Sequence, residues 1–285
     1  MPIRSYIELF KMRIGVMIAL SAVMGYCAIA HHFDAAAMAV LVVAMMLGSA
    51  AASVFNHWYD RDIDRMMVRT SKRPLAMNAL ERPEQVLLIA AALLAAGLGL
   101  AWWMFNPMVA LHLFLGVFFY AIVYTVWLKR RTWLNIVIGG AAGSFAVLAG
   151  AAAVDPTRLL LPALLAIVLF LWTPSHFWAL AIMIKDDYAR ANLPMLPVLA
   201  GDAVTARVIF ANSLLMIVVA ALPWWLGEMG AVYGVLSMVI GAALLWCNWR
   251  LICRPTREWA RRNFFASMQY LAALFVVVLI DVGLQ

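Results

Sequence analysis

Residues 38–74 read MAVLVVAMMLGSAAASVFNHWYDRDIDRMMVRTSKRP. The stretch 38–55 is apolar or small throughout and long enough to cross a hydrocarbon core as a helix. The rest, 56–74, carries three acids and six basic residues, His57 included. Asn56, Asp60 and Asp64 recur every fourth residue, so on a helix each step turns about 400° and the three stay within about 80° of one another. Asp62 falls on another face. A carboxamide and two carboxylates at the end of an apolar helix form a hard-oxygen array suited to Mg2+, and Mg2+ in turn suits a diphosphate. The bases that follow, Arg65, Arg69, Lys72 and Arg73, would hold the remaining phosphate charge. A solvated cytoplasmic loop whose charges only set topology has the same composition, and spacing alone leaves both readings open.

The rest of the chain shares the apolar character of that helix. A mean hydropathy of +0.94, with 67% apolar and 12% charged residues, excludes an ordinary soluble domain. Nine apolar runs recur, at 14–31, 38–55, 86–104, 108–128, 133–153, 159–182, 205–226, 229–249 and 264–282. No soluble stretch separates them, so residues 1–285 are expected to form one all-α integral-membrane domain. With the N-terminus in the cytoplasm, Arg4, Lys11, Arg13, the 61–82 segment, Lys129 to Arg131, Lys185, Arg190, Arg207 and the 250–262 cluster all fall inside. Only Arg158 of the 21 Lys and Arg residues then lies outside, as the positive-inside rule expects. The C-terminus is accordingly external. The net charge of +7 reports topology and contact with anionic lipid or substrate; there is no basic arm or soluble basic domain for nucleic acid. Cys27, Cys247 and Cys253 show no paired spacing and read as free thiols. Arg4, Lys11 and Arg13 before an apolar run ending in Ala28-Ile29-Ala30 imitate a signal peptide. That run is longer than a signal core and further helices follow it, so it reads as a retained first span. The absence of an Arg/Ser-rich transit segment favours a bacterial plasma membrane.

Several further polar positions stand out along the chain. Lys11 and Arg13 precede the first span; snorkelling to headgroups is the expectation for Lys11, and holding a phosphate the alternative. His31, His32 and Asp34 form the first external turn, with no chemistry assigned. Tyr120 and Tyr124 share a helix face near the inner interface, either as an aromatic belt or as hydroxyl donors and cation-stabilising rings beside a phosphate. Asn135 near the start of the fifth span needs a polar partner, and Gly139-Gly140 implies close backbone approach. The second polar concentration is WTPSHFWALAIMIKDDYARANLPMLPV, residues 172–198. Pro174 should kink its helix and free a carbonyl. His176 is an ionisable group inside the bilayer, hence a site candidate, with a hydrogen-bonded structural histidine as the alternative. Lys185, Asp186 and Asp187 lie at the inner end, where an acidic helix end could hold a metal ion or share a diphosphate through metals. The last three spans carry no candidate chemistry.

Taken together, N-x-x-x-D-x-x-x-D closing the second span, DRDIDRMMVRTSKRPL, YTVWLKRRTWLNIVIGGAAG, and WTPSHFWALAI with DDYARANLPMLPV resemble the UbiA superfamily of intramembrane prenyltransferases, in its haem-farnesylating branch. The similarity spans about residues 10–200. It implies a nine-helix bundle around a central cavity, Mg2+ as cofactor, farnesyl diphosphate and haem B as substrates, and haem O as product, with a link to haem A synthase or terminal-oxidase assembly. By the same resemblance Asn56, Asp60 and Asp64 are the first metal–diphosphate motif. Arg13, Lys72, Arg73, Tyr124 and Lys129 touch or neutralise the diphosphate, and Lys185 and Asn135 join the binding set. Asp186 and Asp187 close the second acidic motif, and His176 faces haem iron or a propionate. Met183 interrupts the fuller acidic set of other branches. SFAVLAGAAAV stands where a Pro-Pro segment and a Trp are expected, which bears on cavity shape more than on reaction type. The rival readings are a superfamily member acting on a quinone precursor or another tetrapyrrole, a transporter, and a haem-binding assembly factor.

Overall fold

The computed structural model describes residues 7–30, 32–78 and 82–284. Arg4 and His31 lie outside them. Among the described residues nine helical spans are long and apolar enough to cross a membrane, one for each expected run. They are α1 (Met12–Ile29), α2 (Ala35–Tyr59), α4 (Gln85–Met104), α5 (Pro107–Phe118) continued by a π-helical segment (Phe119–Leu128), α6 (Asn135–Gly139) continued by α7 (Ala141–Ala152), α8 (Leu160–Met183), α10 (Leu196–Trp225), α11 (Ala231–Cys253) and α12 (Arg257–Gly283). Two short helices, α3 (Arg61–Met66) and α9 (Lys185–Arg190), follow directly on the ends of α2 and α8.

Local chemistry sets several boundaries. Asp34 caps α2 by accepting from the Ala36 and Ala37 amides at 2.9 and 3.0 Å. Asn106 caps α5 in the same way, at 3.0 and 3.1 Å, with Pro107 at the first helical position, where its missing N–H is no loss. Thr256 caps α12 through the Trp259 amide at 3.3 Å. That helix begins seven residues before the expected apolar run because the 257–263 segment stays helical after leaving the apolar layer. The seventh span likewise starts early, at Leu196, and is broken at Gly201, whose φ of 80° and ψ of 167° no helix contains.

The spans pack as two connected groups. α1, α2, α4, α5 and α7 form one ring; α8, α10, α11 and α12 form the other, with α7 and α8 in contact between them. Small residues allow the closest crossing. A Cβ placed on Gly25 would stand 2.0 Å from the Val147 carbonyl oxygen, and one on Gly150 only 1.8 Å from that of Ala22. The segment SFAVLAGAAAV is thus the surface on which α1 and α7 approach backbone to backbone. Pro174 lies inside a continuous α8. The region around it is tied to α10: the Asn212 amide donates to the Leu171 carbonyl at 2.5 Å and to the Ser175 hydroxyl at 2.7 Å.

Candidate active site

The α2–α3 junction preserves the fourfold spacing. The Asp60 amide donates to the Asn56 carbonyl at 2.9 Å and the Asp64 amide to the Asp60 carbonyl at 2.8 Å. The helical ladder therefore runs through the break, and Asn56, Asp60 and Asp64 stay on one face. All three are buried, at 3%, 0% and 2% exposure, which separates them from a solvated loop. The Asn56 amide nitrogen donates to Asp60 Oδ2 at 2.7 Å and reaches Thr125 Oγ1 at 3.1 Å. Lys129 Nζ pairs with Asp60 Oδ2, and Arg73 with Asp64 at 2.7 Å. The loop after α3 folds back over this array. Thr70 donates to the Asp64 carbonyl at 3.0 Å, and Arg65 to the Ala76 carbonyl at 2.8 Å.

Lys11 enters the same cluster. It occupies the left-handed backbone region (φ 46°) immediately before α1, an uncommon conformation for a lysine. Its ammonium donates to Asn56 Oδ1 at 2.7 Å and to the Tyr120 hydroxyl at 3.4 Å. Burial, reinforced by Arg73 and Lys129, holds its amine well below the ordinary lysine value; Asp64 and Asp60 oppose the shift. Among the described residues Lys11 has no carboxylate in ion-pair contact, which leaves its amine open to an anion from outside. Tyr120 and Tyr124 stack at 5.7 Å, with Lys11 and Lys129 each 5.9 Å from the centre of one ring. Of the two roles weighed for this pair, cation-bearing rings describe the geometry. The π-helical winding of 119–128 lets the Lys129 amide reach the Tyr124 carbonyl at 2.8 Å and Thr125 the Tyr120 carbonyl at 2.8 Å. Such windings mark functional sites more often than ordinary spans.

From Tyr120 an apolar cleft runs between α1, α2, α5 and α7, lined by Ile18, Met45, Leu113, Val117 and Ala146 among others. The Gly25–Val147 and Gly150–Ala22 contacts close the bundle where α1 and α7 cross.

Several expected site residues are placed elsewhere. Arg13 is exposed; Lys11, held in the left-handed region just before the helix, takes the inward position that Arg13 was expected to fill. Lys72 is exposed while its neighbour Arg73 reaches Asp64. Lys185 pairs with Asp202 at 3.1 Å, and Asp186 points outward to pair with Arg257; neither contacts the ladder. Asp187 accepts from the Val68 and Arg69 amides at 3.3 and 3.1 Å and pairs with Arg190. Burial raises its pKa, but those amides and Arg190 outweigh that and hold it below the ordinary carboxylate value. Its oxygens clamp the loop over the ladder, and that loop is how the two polar motifs meet. Asn135 donates to the Lys129 and Thr132 carbonyls at 3.3 and 2.6 Å, fixing the turn that carries Lys129.

His176 lies between the rings of Trp172 and Phe264, 4.3 Å from each. Its Nδ1 is 2.8 Å from Ser267 Oγ, which itself donates to the Phe264 carbonyl at 2.7 Å. Ser267 has one hydrogen, so Nδ1 carries the imidazole proton and Nε2 keeps its lone pair.

Thr125 and Arg130 are the contributors that sequence reasoning missed; for Lys11 it put headgroup snorkelling first and the phosphate role second, and the structure turns Lys11 to Asn56. Arg130 makes a two-point contact with Asp62 at 2.6 and 2.7 Å and stands 3.7 Å from Asp60 Oδ1. The LKRR run was a signal for it.

The donor set fits a hard divalent cation. It comprises two buried carboxylates and a carboxamide, and Asp60 Oδ1 is buried without a hydrogen bond. Among the described residues no group of three or more His, Cys, Asp or Glu forms an alternative metal site.

The UbiA prenyltransferase family profile matches residues 14–273. The chain belongs to the UbiA prenyltransferase family. It is 57% identical over 281 residues to protoheme IX farnesyltransferase 1 of Paramagnetospirillum magneticum, covering 99% of both chains. It is 46% identical to protoheme IX farnesyltransferase 2 of that organism, covering 96% of this chain and 95% of the relative. Among solved structures, a UbiA homologue from Archaeoglobus fulgidus bound to DMAPP and Mg2+ superposes with a TM-score of 0.74 at 18% identity, over 96% of this chain and 99% of that one. A structure described for digeranylgeranylglyceryl phosphate synthase reaches 0.82 at 17% identity, over 99% of both chains. These likenesses establish the UbiA fold, and with the nine apolar helices they make this a multi-pass membrane protein.

Proposed function

We infer that this UbiA-family enzyme transfers the farnesyl group of farnesyl diphosphate to the vinyl group of protoheme IX, releasing diphosphate and giving haem O. The observation that carries the reading is full-length similarity to protoheme IX farnesyltransferases in a chain whose buried ladder is intact. Residues 1–285 act as one prenyltransferase domain, with the N-terminus cytoplasmic and the C-terminus external across a bacterial inner membrane. The product would feed haem A synthase or terminal-oxidase assembly.

Asn56, Asp60 and Asp64 would hold Mg2+, which when bound draws charge off the diphosphate oxygens and makes diphosphate a better leaving group. Lys11, Arg73 and Lys129 supply fixed positive charge around the same point, where low dielectric strengthens it. The cleft from Tyr120 is apolar and suits the hydrocarbon chain. Its walls keep water from the allylic carbon until the vinyl group attacks. Water adding to the resulting cation supplies the hydroxyl group. His176, with Nε2 free of a proton, is suited to haem iron or a propionate, and the Trp172 and Phe264 rings fix its plane.

Incubating the purified protein with haem B, farnesyl diphosphate and Mg2+, and reading the pigment by mass, tests the activity; a chelator should stop it. Asp60→Asn should lower turnover on the order of a thousandfold while the protein still elutes as a folded species in detergent. Near-normal turnover in that variant would remove the ladder from the mechanism.

A further inference from the structure

A second concavity lies on the other side of Arg130 from the ladder. Trp58, Tyr59, Arg61, Asp62, Arg65 and Arg130 line an open bowl. Arg61 lies over the Trp58 ring at 5.1 Å and Arg130 over the Tyr59 ring at 5.0 Å. The Arg61 guanidinium donates to the Trp58 carbonyl at 2.6 Å, and Arg65 to the Ala76 carbonyl at 2.8 Å and to Asn78. Carbonyl and amide oxygens orient a guanidinium without neutralising it. Among the described residues only Arg130 of the three has a carboxylate partner, Asp62 and more distantly Asp60. Among the described residues, three guanidinium groups against the Asp62 carboxylate leave the bowl with a surplus of two positive charges.

Its height in the membrane is also fixed. Trp58 and Tyr59 end the second span, and Arg130 follows the π-helical segment by two residues. The bowl thus sits where two spans leave the hydrocarbon, the level of lipid phosphates and interfacial aromatic rings. We propose that it is a binding site for the headgroup of an anionic phospholipid, with Arg61 and Arg65 on the phosphate and Trp58 and Tyr59 against the glycerol and upper acyl chain. Arg130 belongs to the edge of both places, locked to Asp62 in the bowl and 3.7 Å from Asp60 of the ladder. Planar guanidinium groups bind phosphate through two parallel hydrogen bonds, and phosphate is the anion that abounds at this depth.

The test uses the full chain in nanodiscs of phosphatidylcholine doped with phosphatidylglycerol, with retained lipid read by native mass spectrometry. The double variant Arg61→Gln/Arg65→Gln should lose preferential retention of phosphatidylglycerol on the order of tenfold. Arg254→Gln/Arg261→Gln, in the other basic cluster, should not. Thermal unfolding and size exclusion check that each variant is folded, and Arg61→Lys/Arg65→Lys, which keeps charge and loses the fork, should restore part of the retention. Equal retention by folded Arg61→Gln/Arg65→Gln overturns the proposal. So does displacement of the retained lipid by haem B, or by an acidic peptide more effectively than by phosphatidylglycerol.

Discussion

At the scale of single residues, Lys11 and Arg13 separate what spacing suggests from what the backbone allows. Both precede the first apolar run, yet the left-handed turn at Lys11 aims its amine at Asn56 and Tyr120 while Arg13, inside the helix, stays exposed. A hydrogen bond to a charged group contributes roughly 1.5–3 kcal/mol. Lys11→Met should therefore raise the KM for farnesyl diphosphate about ten- to a hundredfold, whereas Arg13→Gln should leave it within about twofold. Steady-state kinetics on both variants decides the matter, and the opposite ranking would return the phosphate contact to Arg13. The adjacent pair Asp186 and Asp187 gives the same lesson. Neighbouring helix positions diverge by about 100°, so only Asp187 turns to the loop and Asp186 meets Arg257.

At the scale of elements, two contacts hold the site's frame. One is the α1–α7 crossing. Gly150→Ala forces a methyl group into the Ala22 carbonyl, a backbone atom that moves only if the helices part, and should destabilise by about 3 kcal/mol or more. Gly99→Ala, with nothing within 4 Å of its Cβ position, should be neutral or slightly stabilising. Thermal melts in one detergent compare the two. The other contact is the Asp187 clamp between α9 and the loop at 68–69. Its carboxylate is held below the ordinary value, so the clamp is fully present above the unfolded carboxyl pKa, about 4, and is lost as pH falls through the lower folded value. Hydrogen exchange at the Val68 and Arg69 amides, corrected for intrinsic rates, should rise only in that acid window. In Asp187→Asn the acid-dependent step should vanish; its persistence would assign it to another group.

At the scale of the whole molecule, the bundle brings ionic chemistry to one rim and leaves the opposite half packed. Cys253 is exposed at the end of α11 and Cys27 is buried in α1. The cytoplasmic orientation proposed for the ladder's rim predicts that a membrane-impermeant maleimide modifies Cys253 in inverted vesicles and not in right-side-out cells; the reverse pattern would invert the topology. The number of spans and the register of Asn56, Asp60 and Asp64 were legible in the sequence. Both depend on short-range regularities, since a bilayer demands about twenty apolar residues per helix and a helix repeats every 3.6 residues. From the strings around 120–140 and 172–198 the fold brings Lys129 onto Asp60 and Asp187 onto the loop at 68–69. Which cation faces the ladder, which of two adjacent acids turns inward, the π-helical winding that seats Lys129 on Asp60, and the loop folded back onto Asp187 were settled only in three dimensions. Those outcomes depend on side chains far apart in the chain competing for one small buried volume, and local periodicity carries no record of that competition.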